Sequence, residues 1–209
     1  MNEAIRNWNE RYGSSDYLFG REPSRFLVRQ QARLKPGMRA LAVADGEGRN
    51  GVWMASLGLD VLSVDGSAAA LAKARRLAAG EGQDLAFAQV DLLDWDWPVG
   101  RFDIVAAIFI QFANPQQRTV LFAKMRETLR PGGLLLLHGY RPEQVALGTG
   151  GPPHEENMYT PGMLRESFAD FDILELAGYD AVIHEGRGHD GPSALIDLVA
   201  RKPGEGHDG

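Results

Sequence analysis

Three glycines in one short stretch are the residues of this sequence whose spacing most directly suggests chemistry. Residues 41–55 read LAVADGEGRNGVWMA, and Gly46, Gly48 and Gly51 form the pattern G-x-G-x-x-G. Such glycines let a chain turn sharply and approach a ligand closely, and the helix that follows points free N–H groups at the ligand. Asp65 ends the next apolar stretch about 20 residues further on, where a carboxylate binds ribose hydroxyls. The spacing indicates a cofactor that carries adenosine, either NAD or S-adenosylmethionine.

The residues around the glycines favour S-adenosylmethionine. In dinucleotide-binding enzymes the first glycine directly follows its strand, whereas Ala44 and Asp45 stand between the strand and the glycine here. The turn also contains Glu47, and acidic groups repel a pyrophosphate but attract a sulfonium or an ammonium group. After the third predicted strand, Asp91 offers an acceptor for the adenine amino group and Leu92 offers an apolar wall for the ring.

The composition is that of an ordinary globular protein. The chain has 209 residues, 44% apolar and 24% charged, and its net charge of -6 disfavours a nucleic-acid partner. No segment resembles a signal peptide or approaches about 18 uninterrupted apolar residues, so we expect a cytoplasmic protein with no membrane partner. The absence of cysteine excludes thiolate catalysis and disulfides, and the histidines lack metal-ligand spacing, so we expect no metal site.

The order of the predicted elements indicates the fold. Helices and strands alternate after residue 37, and apolar runs without polar alternation are typical of parallel strands covered on both faces. We therefore predict the α/β class, as a single doubly wound Rossmann-like sheet, mostly parallel with an antiparallel last strand. The predicted strands are 39–44, 60–65, 85–90, 102–110, 134–140, 171–183 and 193–202. The predicted helices are 2–11, 24–34, 50–57, 67–80, 114–129 and 160–169.

The whole chain is predicted to form one domain. Residues 1–202 make up this domain, residues 1–37 form an N-terminal helical cap within it, and residues 203–209 form a flexible tail. Ligands of doubly wound sheets bind beyond the carboxyl ends of the strands. Four aromatic residues of the cap are candidates for a lid over that edge, although packing is the more common role for most of them. These aromatic residues are Trp8, Tyr12, Tyr17 and Phe19.

Motifs along nearly the whole chain carry a resemblance to a known family. They include WNERY at residues 8–12, DGEGRNGVWMA at 45–55, VDGS at 64–67, LRPGG at 129–133 and EGRGHDG at 185–191. With these motifs the chain resembles the class I S-adenosylmethionine-dependent methyltransferases, and most of all the branch of tellurite-resistance and thiopurine methyltransferases. Departures from the family pattern are Ala42 and Ala44 in the first strand and loop, and Gln111 where the branch often has histidine.

The resemblance and the strand ends together give two sets of candidate residues. By resemblance, the glycine loop contacts the methionine half of the cofactor, Asp65 its ribose and Asp91 its adenine. The candidate cofactor-binding residues are Ala44, Gly46, Glu47, Gly48, Asp65, Ser67, Asp91, Leu92 and Ile108. The candidate substrate-binding residues are Gln111, Tyr140, Arg187 and His189.

The chemistry implied by the resemblance is transfer of a methyl group by in-line displacement. A dry pocket and alignment serve this reaction when the nucleophile is a soft anion, so we assign no catalytic base. Tellurite, a thiol, a halide or an oxygen nucleophile each fit as the acceptor. One alternative is an NAD-dependent oxidoreductase, although no Tyr-x-x-x-Lys pair is visible. The other is a protein that binds the cofactor without catalysis, an alternative that Ala42 and Ala44 leave open.

Overall fold

The protein is built on one seven-stranded sheet. The structure is a computed structural model and describes residues 3–204. The first five strands form the parallel part of the sheet. The last two form a long antiparallel hairpin at one edge. The strands are β1 (Arg39–Val43), β2 (Asp60–Asp65), β3 (Ala86–Gln89), β4 (Phe102–Ile108), β5 (Leu129–Tyr140), β6 (Asp172–His184) and β7 (Asp190–Arg201).

The strand order confirms the predicted fold class. It runs β3-β2-β1-β4-β5-β7-β6, so the chain reverses its direction of winding between β1 and β4. The pairs among β1 to β5 are parallel, and β7 is antiparallel to both of its neighbours. The switch point between β1 and β4 is where doubly wound sheets bind their ligands.

Helices cover both faces of the sheet, and local signals in the sequence fix several of their ends. They are α1 (Glu3–Arg11), α2 (Arg25–Arg29), α3 (Arg49–Ser56), α4 (Ala68–Gly80), α5 (Pro115–Thr128), α6 (Gln144–Leu147) and α7 (Pro161–Ser167). The Ser67 hydroxyl caps α4, and Thr160 caps α7. Asn114 and Gln117 form a capping box at the start of α5, where Pro115 supplies the fixed φ of a first helical residue.

The core lies on both faces of the central strands. One buried cluster includes Leu41, Val105 and Leu137, and the other includes Ala42, Ile104 and Leu136. These neighbouring residues alternate between the two faces, as successive side chains of a strand must. The central strands are therefore covered on both sides, and only their ends are available for binding.

Several predicted boundaries differ from the structure, and three of the differences have a local reason. The helix predicted for 24–34 is α-helical only over Arg25–Arg29 and continues as a 3-10 turn at Gln31–Arg33. Residues 130–133 do not precede the fifth strand but belong to it, because Leu129 already pairs with Phe102 before an irregularity in the ladder. The fourth strand ends at Ile108 instead of 110, since Phe109 has a φ of 56° that an extended strand does not accommodate.

The two ends of the chain are described only in part. Residue 2, where the first helix was predicted to begin, and residues 205–209 of the predicted tail lie outside the described residues. Within residues 3–204, none of the helices is long and apolar enough to cross a bilayer.

Candidate functional site

A cavity of about 1120 Å³ opens at the carboxyl ends of β1, β2, β4 and β5. Helix α1 lies across it, and the loop between β6 and β7 forms its far wall. All the candidate residues from the sequence line this cavity except Gly48. The structure therefore brings the two predicted sets together in one place, and their binding roles stay predictions.

The glycine loop between β1 and α3 is an elbow with three left-handed residues. Ala44 has a φ of 48°, Gly46 of 59° and Gly48 of 87°. A Cβ at Gly46 would lie 2.8 Å from the Tyr12 hydroxyl, so the loop and α1 meet there. A Cβ at Gly48 would lie 2.7 Å from that of Ala74 in α4, which explains why this glycine packs against a helix and does not line the cavity.

Asp65 ties the end of β2 to the elbow. Its Oδ2 accepts a hydrogen bond of 2.9 Å from the Gly46 N–H, and its Oδ1 accepts one of 2.8 Å from the Ser67 N–H. Burial raises the pKa of the Asp65 carboxyl group, and the backbone hydrogen bonds oppose that shift. A carboxylate held in this way lines the cavity at a fixed position.

Asp45, which was not among the candidate residues, is a second carboxylate on the cavity wall. It accepts hydrogen bonds from the Ser63 hydroxyl at 2.9 Å and from the Gly51 N–H at 3.1 Å. Removal from water raises the pKa of Asp45 to about 7, and the neighbouring charge of Asp65 adds to this effect. A positive ligand beside Asp45 and Asp65 would favour their charged forms.

Glu47 has a different environment from the one that the sequence suggested. Its Oε1 lies 2.8 Å from the Lys73 ammonium, and both side chains are buried. Its Oε2 accepts hydrogen bonds from the backbone N–H groups of Leu18 at 2.7 Å and Phe19 at 3.3 Å. The negative charge of Glu47 is therefore paired within the protein, whereas Asp45 of the elbow and Asp65 at the end of β2 form no ion pair with a residue in the described range.

The wall beyond β2 and β3 is suited to a flat apolar ring. Leu92 is buried and Ile108 is half-buried, and both line the cavity beside Asp91. Helix α1 covers this end, because the Asn9 side chain accepts hydrogen bonds of 3.0 Å from the Ser67 hydroxyl and the Ala69 N–H. The N-terminal cap thus contacts the residues predicted to hold adenosine.

The predicted aromatic lid is formed in part. Trp8, Tyr12 and Phe19 line the cavity and contact one another, with ring centroids 5.6 to 6.3 Å apart. Tyr17 packs instead beside α3 and α4, where its hydroxyl donates to the Lys73 carbonyl at 3.2 Å. Three of the four aromatic residues are therefore placed to keep water from the cavity.

Aromatic rings also surround two of the residues predicted to bind the substrate. Phe109, which has a φ of 56°, brings its ring within 4.1 Å of His189 and 4.7 Å of Tyr140, centroid to centroid. Phe19 from the cap lies 4.5 Å from the His189 ring. A bulky residue in the left-handed region is strained, and such strain concentrates at functional sites.

Two polar groups in this cluster lack partners. Nδ1 of His189 and the Tyr140 hydroxyl are buried and make no hydrogen bond to any residue in the described range. Burial lowers the pKa of His189 well below its usual value, with contributions from Arg49, His138 and Arg11, so the ring is neutral at pH 7. A neutral imidazole beside the cavity is able to donate or accept a hydrogen bond.

The other two substrate candidates have partners within the protein. Nε2 of Gln111 donates to the Tyr140 carbonyl at 2.8 Å, and its Oε1 accepts from the Tyr140 N–H at 2.7 Å. These two hydrogen bonds fix the end of β5. A contact between Gln111 and the substrate stays a prediction. Arg187 is exposed at the rim of the cavity, 3.5 Å from the Ser14 hydroxyl.

His138 is a structural histidine in this fold. Its Nδ1 lies 2.6 Å from Asp197, whose other oxygen binds Arg29 at 2.6 Å. Its ring stacks on Phe26 at 5.2 Å and packs edge-on against Phe109 at 4.6 Å. Across residues 3–204, no group of three or more His, Asp or Glu side chains is arranged to hold a metal ion.

The geometry fits a cofactor that joins adenosine to a positive group. The cavity has an apolar end at Leu92 and Ile108, a buried carboxylate at Asp65 and a further carboxylate at Asp45. Gly46 lets Tyr12 of the cap approach the elbow closely, since a Cβ in this left-handed turn would lie 2.8 Å from the Tyr12 hydroxyl.

Comparison with known proteins agrees with this geometry. Residues 40–133 match a protein family described as a methyltransferase domain. This segment holds β1 to β4, α3 to α5 and the elbow. Among curated proteins, the glycine/sarcosine N-methyltransferase of Halorhodospira halochloris is 33% identical over 115 residues, which are 52% of this chain and 42% of that protein. The chain spans less than half the length of the curated relatives that it matches.

Solved structures are similar over almost the whole chain. The N-methyltransferase NodS from Bradyrhizobium japonicum WM9, in complex with S-adenosyl-L-homocysteine, aligns with a TM-score of 0.73 at 13% identity, covering 97% of this chain and 100% of that one. TehB from Haemophilus influenzae aligns with a TM-score of 0.69 at 18% identity, covering 95% of this chain and 67% of that one.

This chain has the fold of the S-adenosylmethionine-dependent methyltransferases. The matched domain lies within the region that aligns with these structures, so the two comparisons agree. In this methyltransferase fold, the cavity lies at the switch point between β1 and β4.

Two ion pairs that assemble the site were not predicted from the sequence. Glu47 and Arg49 flank Gly48, and each forms a buried ion pair with a distant residue, Lys73 and Glu185 respectively. The sequence did indicate that such partners exist, because Glu47 and Arg49 lie in a glycine-rich stretch between apolar segments and a charged side chain is rarely buried without a partner.

Proposed function

We propose that this protein is an S-adenosylmethionine-dependent methyltransferase that acts on a small molecule. The observation that carries the proposal is the pair of carboxylates, Asp45 and Asp65, on the wall of a cavity at the switch point of the sheet. Negative charge at this position attracts a sulfonium and an ammonium group, whereas it repels the diphosphate of NAD. The match of residues 40–133 to methyltransferase domains supports the same conclusion.

The residues that would hold the cofactor follow from their positions. Gly46 and its neighbours would contact the methionine half, Asp65 the ribose hydroxyls, and Asp91 with Leu92 and Ile108 the adenine. When bound, S-adenosylmethionine supplies an electrophilic methyl group on a positively charged sulfur.

The protein's own contribution is to align the reactants and exclude water. Trp8, Tyr12 and Phe19 close the cavity from the side of the cap, which strengthens electrostatic interactions inside it. His189 and Tyr140 offer hydrogen-bonding groups to the acceptor on the opposite side. Alignment of a nucleophile within a closed pocket accounts for a large part of the barrier reduction in such displacements.

The finer proposal is that the acceptor is a thiol or a chalcogen oxyanion. The motifs shared with the tellurite-resistance and thiopurine branch support it, and so does the structural similarity to TehB. The aromatic surroundings of His189 provide the dry pocket that favours displacement by a soft nucleophile. We further propose that the protein acts in the cytoplasm on free small molecules and not on nucleic acid or membrane.

A methyl-transfer screen tests the proposed function. The protein would be incubated with isotopically labelled S-adenosylmethionine and a panel of thiols, chalcogen oxyanions and small phenols, with products identified by mass spectrometry. We expect a labelled methylated product from at least one thiol or oxyanion. Binding of S-adenosylhomocysteine without any product would instead support the non-catalytic alternative.

A further inference from the structure

The loop between β6 and β7 places two candidate substrate residues in the cavity. We name residues 185–189 the acceptor loop, since it carries Arg187 and His189. The loop is closed on itself by a hydrogen bond of 2.8 Å from the Glu185 N–H to the His189 carbonyl. The loop is therefore compact, and its position relative to the cavity depends on its contacts with other parts of the chain.

The N-terminal segment is one of the elements that hold the acceptor loop. The Gly188 N–H donates to the Leu18 carbonyl at 3.1 Å. A Cβ at Gly186 would lie 2.3 Å from the Gly20 nitrogen, and one at Gly188 would lie 2.2 Å from the Phe19 ring. Gly186 thus leaves room for the backbone of the N-terminal segment, and Gly188 leaves room for the Phe19 ring.

A buried ion pair joins the acceptor loop to the elbow. Oε2 of Glu185 lies 2.7 Å from a guanidinium nitrogen of Arg49, and each side chain is only 6% exposed. Arg49 is the first residue of α3 and directly follows Gly48. Oε1 of Glu185 also accepts a hydrogen bond of 3.2 Å from the Arg25 N–H. Within residues 3–204, no other ion pair connects the acceptor loop to the elbow.

Stability alone does not account for this pair. Burying two charges carries a desolvation cost that their attraction only about offsets, so apolar residues of similar size commonly serve as well. An ion pair differs from an apolar contact because its hydrogen bonds fix the distance and the orientation of the two groups. Here the groups that are fixed belong to the predicted cofactor loop and to the loop that carries His189.

We propose that Glu185 is a positioning residue, which through Arg49 fixes His189 and Arg187 relative to the bound cofactor. This inference rests on the proposed function, because it takes the elbow as the cofactor loop. It implies that a cofactor bound at the elbow also stabilises the acceptor loop through the ion pair.

Two variants separate positioning from folding. Glu185→Gln keeps the shape and an oxygen for the Arg25 N–H but removes the charge that holds Arg49. The double variant Arg49→Leu with Glu185→Leu removes both charges, so it avoids an unpaired buried charge and keeps the fold testable if the single variant unfolds. Asp170→Asn is the control, because it breaks an exposed ion pair with Arg126 away from the cavity.

The experiment compares hydrogen exchange of residues 185–190 with and without saturating S-adenosylhomocysteine. In the wild type and in Asp170→Asn we expect the ligand to slow exchange of this segment about tenfold. In Glu185→Gln and in the double variant we expect the slowing to be lost, while residues 44–51 stay protected. With an acceptor from the screen, we expect kcat/KM to fall by about 10²-fold, mostly through KM, because the acceptor is misplaced.

The possible outcomes are distinguishable. If the ligand still protects residues 185–190 in Glu185→Gln, or if the double variant has wild-type KM for the acceptor, the positioning role is wrong. If the wild-type protein does not bind S-adenosylhomocysteine in calorimetry, the proposed function itself is wrong.

Discussion

The backbone N–H of Gly46 donates a hydrogen bond of 2.9 Å to Oδ2 of Asp65, nineteen residues further along the chain. This contact ties the elbow after β1 to the end of β2, at the point where the sheet presents its binding edge. Because Oδ1 accepts from Ser67 as well, the carboxylate is held rigidly while it lines the cavity. Asp65 therefore fixes the elbow relative to the end of β2, on the wall of the cavity where we propose that the cofactor binds.

Asp65→Asn should weaken binding of S-adenosylhomocysteine by about 1–3 kcal/mol, since it removes the charge and replaces one of the two acceptor oxygens with an NH2 donor. Isothermal titration calorimetry measures this change. Asp60→Asn, an exposed residue at the other end of the same strand, is the matched control and should bind as the wild type does. Equal affinity of Asp65→Asn and the wild type would remove Asp65 from the cofactor site.

Lys73→Met should lower the free energy of unfolding by about 3 kcal/mol, because it leaves the Glu47 carboxylate buried without its cation. Adding Glu47→Gln in the double variant should recover at least part of this loss, as the unpaired charge is then gone. Urea denaturation of the single and double variants measures both effects. A single variant as stable as the wild type would show that the pair does not hold the N-terminal segment.

Asp45 should make stability depend on pH. Its pKa is about 7 in the folded protein, above the value of about 3.9 in an unfolded chain, so the folded state binds the proton more tightly. Its contribution to stability is full below the unfolded pKa and is lost as the pH rises towards 7. Asp45→Asn, which stays neutral, should therefore gain stability relative to the wild type between pH 5 and pH 8.

Urea denaturation at the two pH values tests this expectation, with Asp60→Asn as the exposed control. A difference between Asp45→Asn and the wild type that is the same at pH 5 and pH 8 would contradict a raised pKa for Asp45.

Ala44→Gly should leave the fold intact and raise the free energy of unfolding by up to about 1 kcal/mol. The φ of 48° at Ala44 is strained for a residue with a Cβ, and relief of that strain exceeds the added entropy of glycine. The control Ala42→Gly, buried in the middle of β1, should instead lose about 1 kcal/mol. Thermal or urea unfolding that shows the same loss for both variants would contradict strain at Ala44.

His189→Asn should lower methyl transfer far more than cofactor binding. We expect a fall in kcat/KM of about 10²-fold with the acceptor from the screen and little change in affinity for S-adenosylhomocysteine. His154→Asn, an exposed histidine, is the control and should retain full activity. Wild-type kinetics in His189→Asn would mean that the unpartnered ring does not contact the acceptor.

Much of the fold could be predicted because its signals are local. The strand at 60–65 and the caps of α4 and α5 follow from a few adjacent residues, such as Ser67 and Asn114. The order of strands follows from the alternation of strands and helices, so the carboxyl ends that form the cavity could be named in advance.

The missing parts of the site depend on contacts distant in sequence. Glu47 was expected to face the ligand, and its pairing with Lys73 could not be inferred, because 26 residues separate them. The same is true of Arg49 and Glu185, which are 136 residues apart. The strained φ of Phe109 is also a product of tertiary packing, since an isolated strand end favours no such conformation.

The most direct test of the central claim is a parallel calorimetric titration of the protein with S-adenosylhomocysteine and with NADH. The two acidic residues on the cavity wall, Asp45 in the elbow and Asp65 at the end of β2, predict that S-adenosylhomocysteine binds with one-to-one stoichiometry and that NADH shows no measurable heat of binding. Saturable binding of NADH, with none of S-adenosylhomocysteine, would contradict the account.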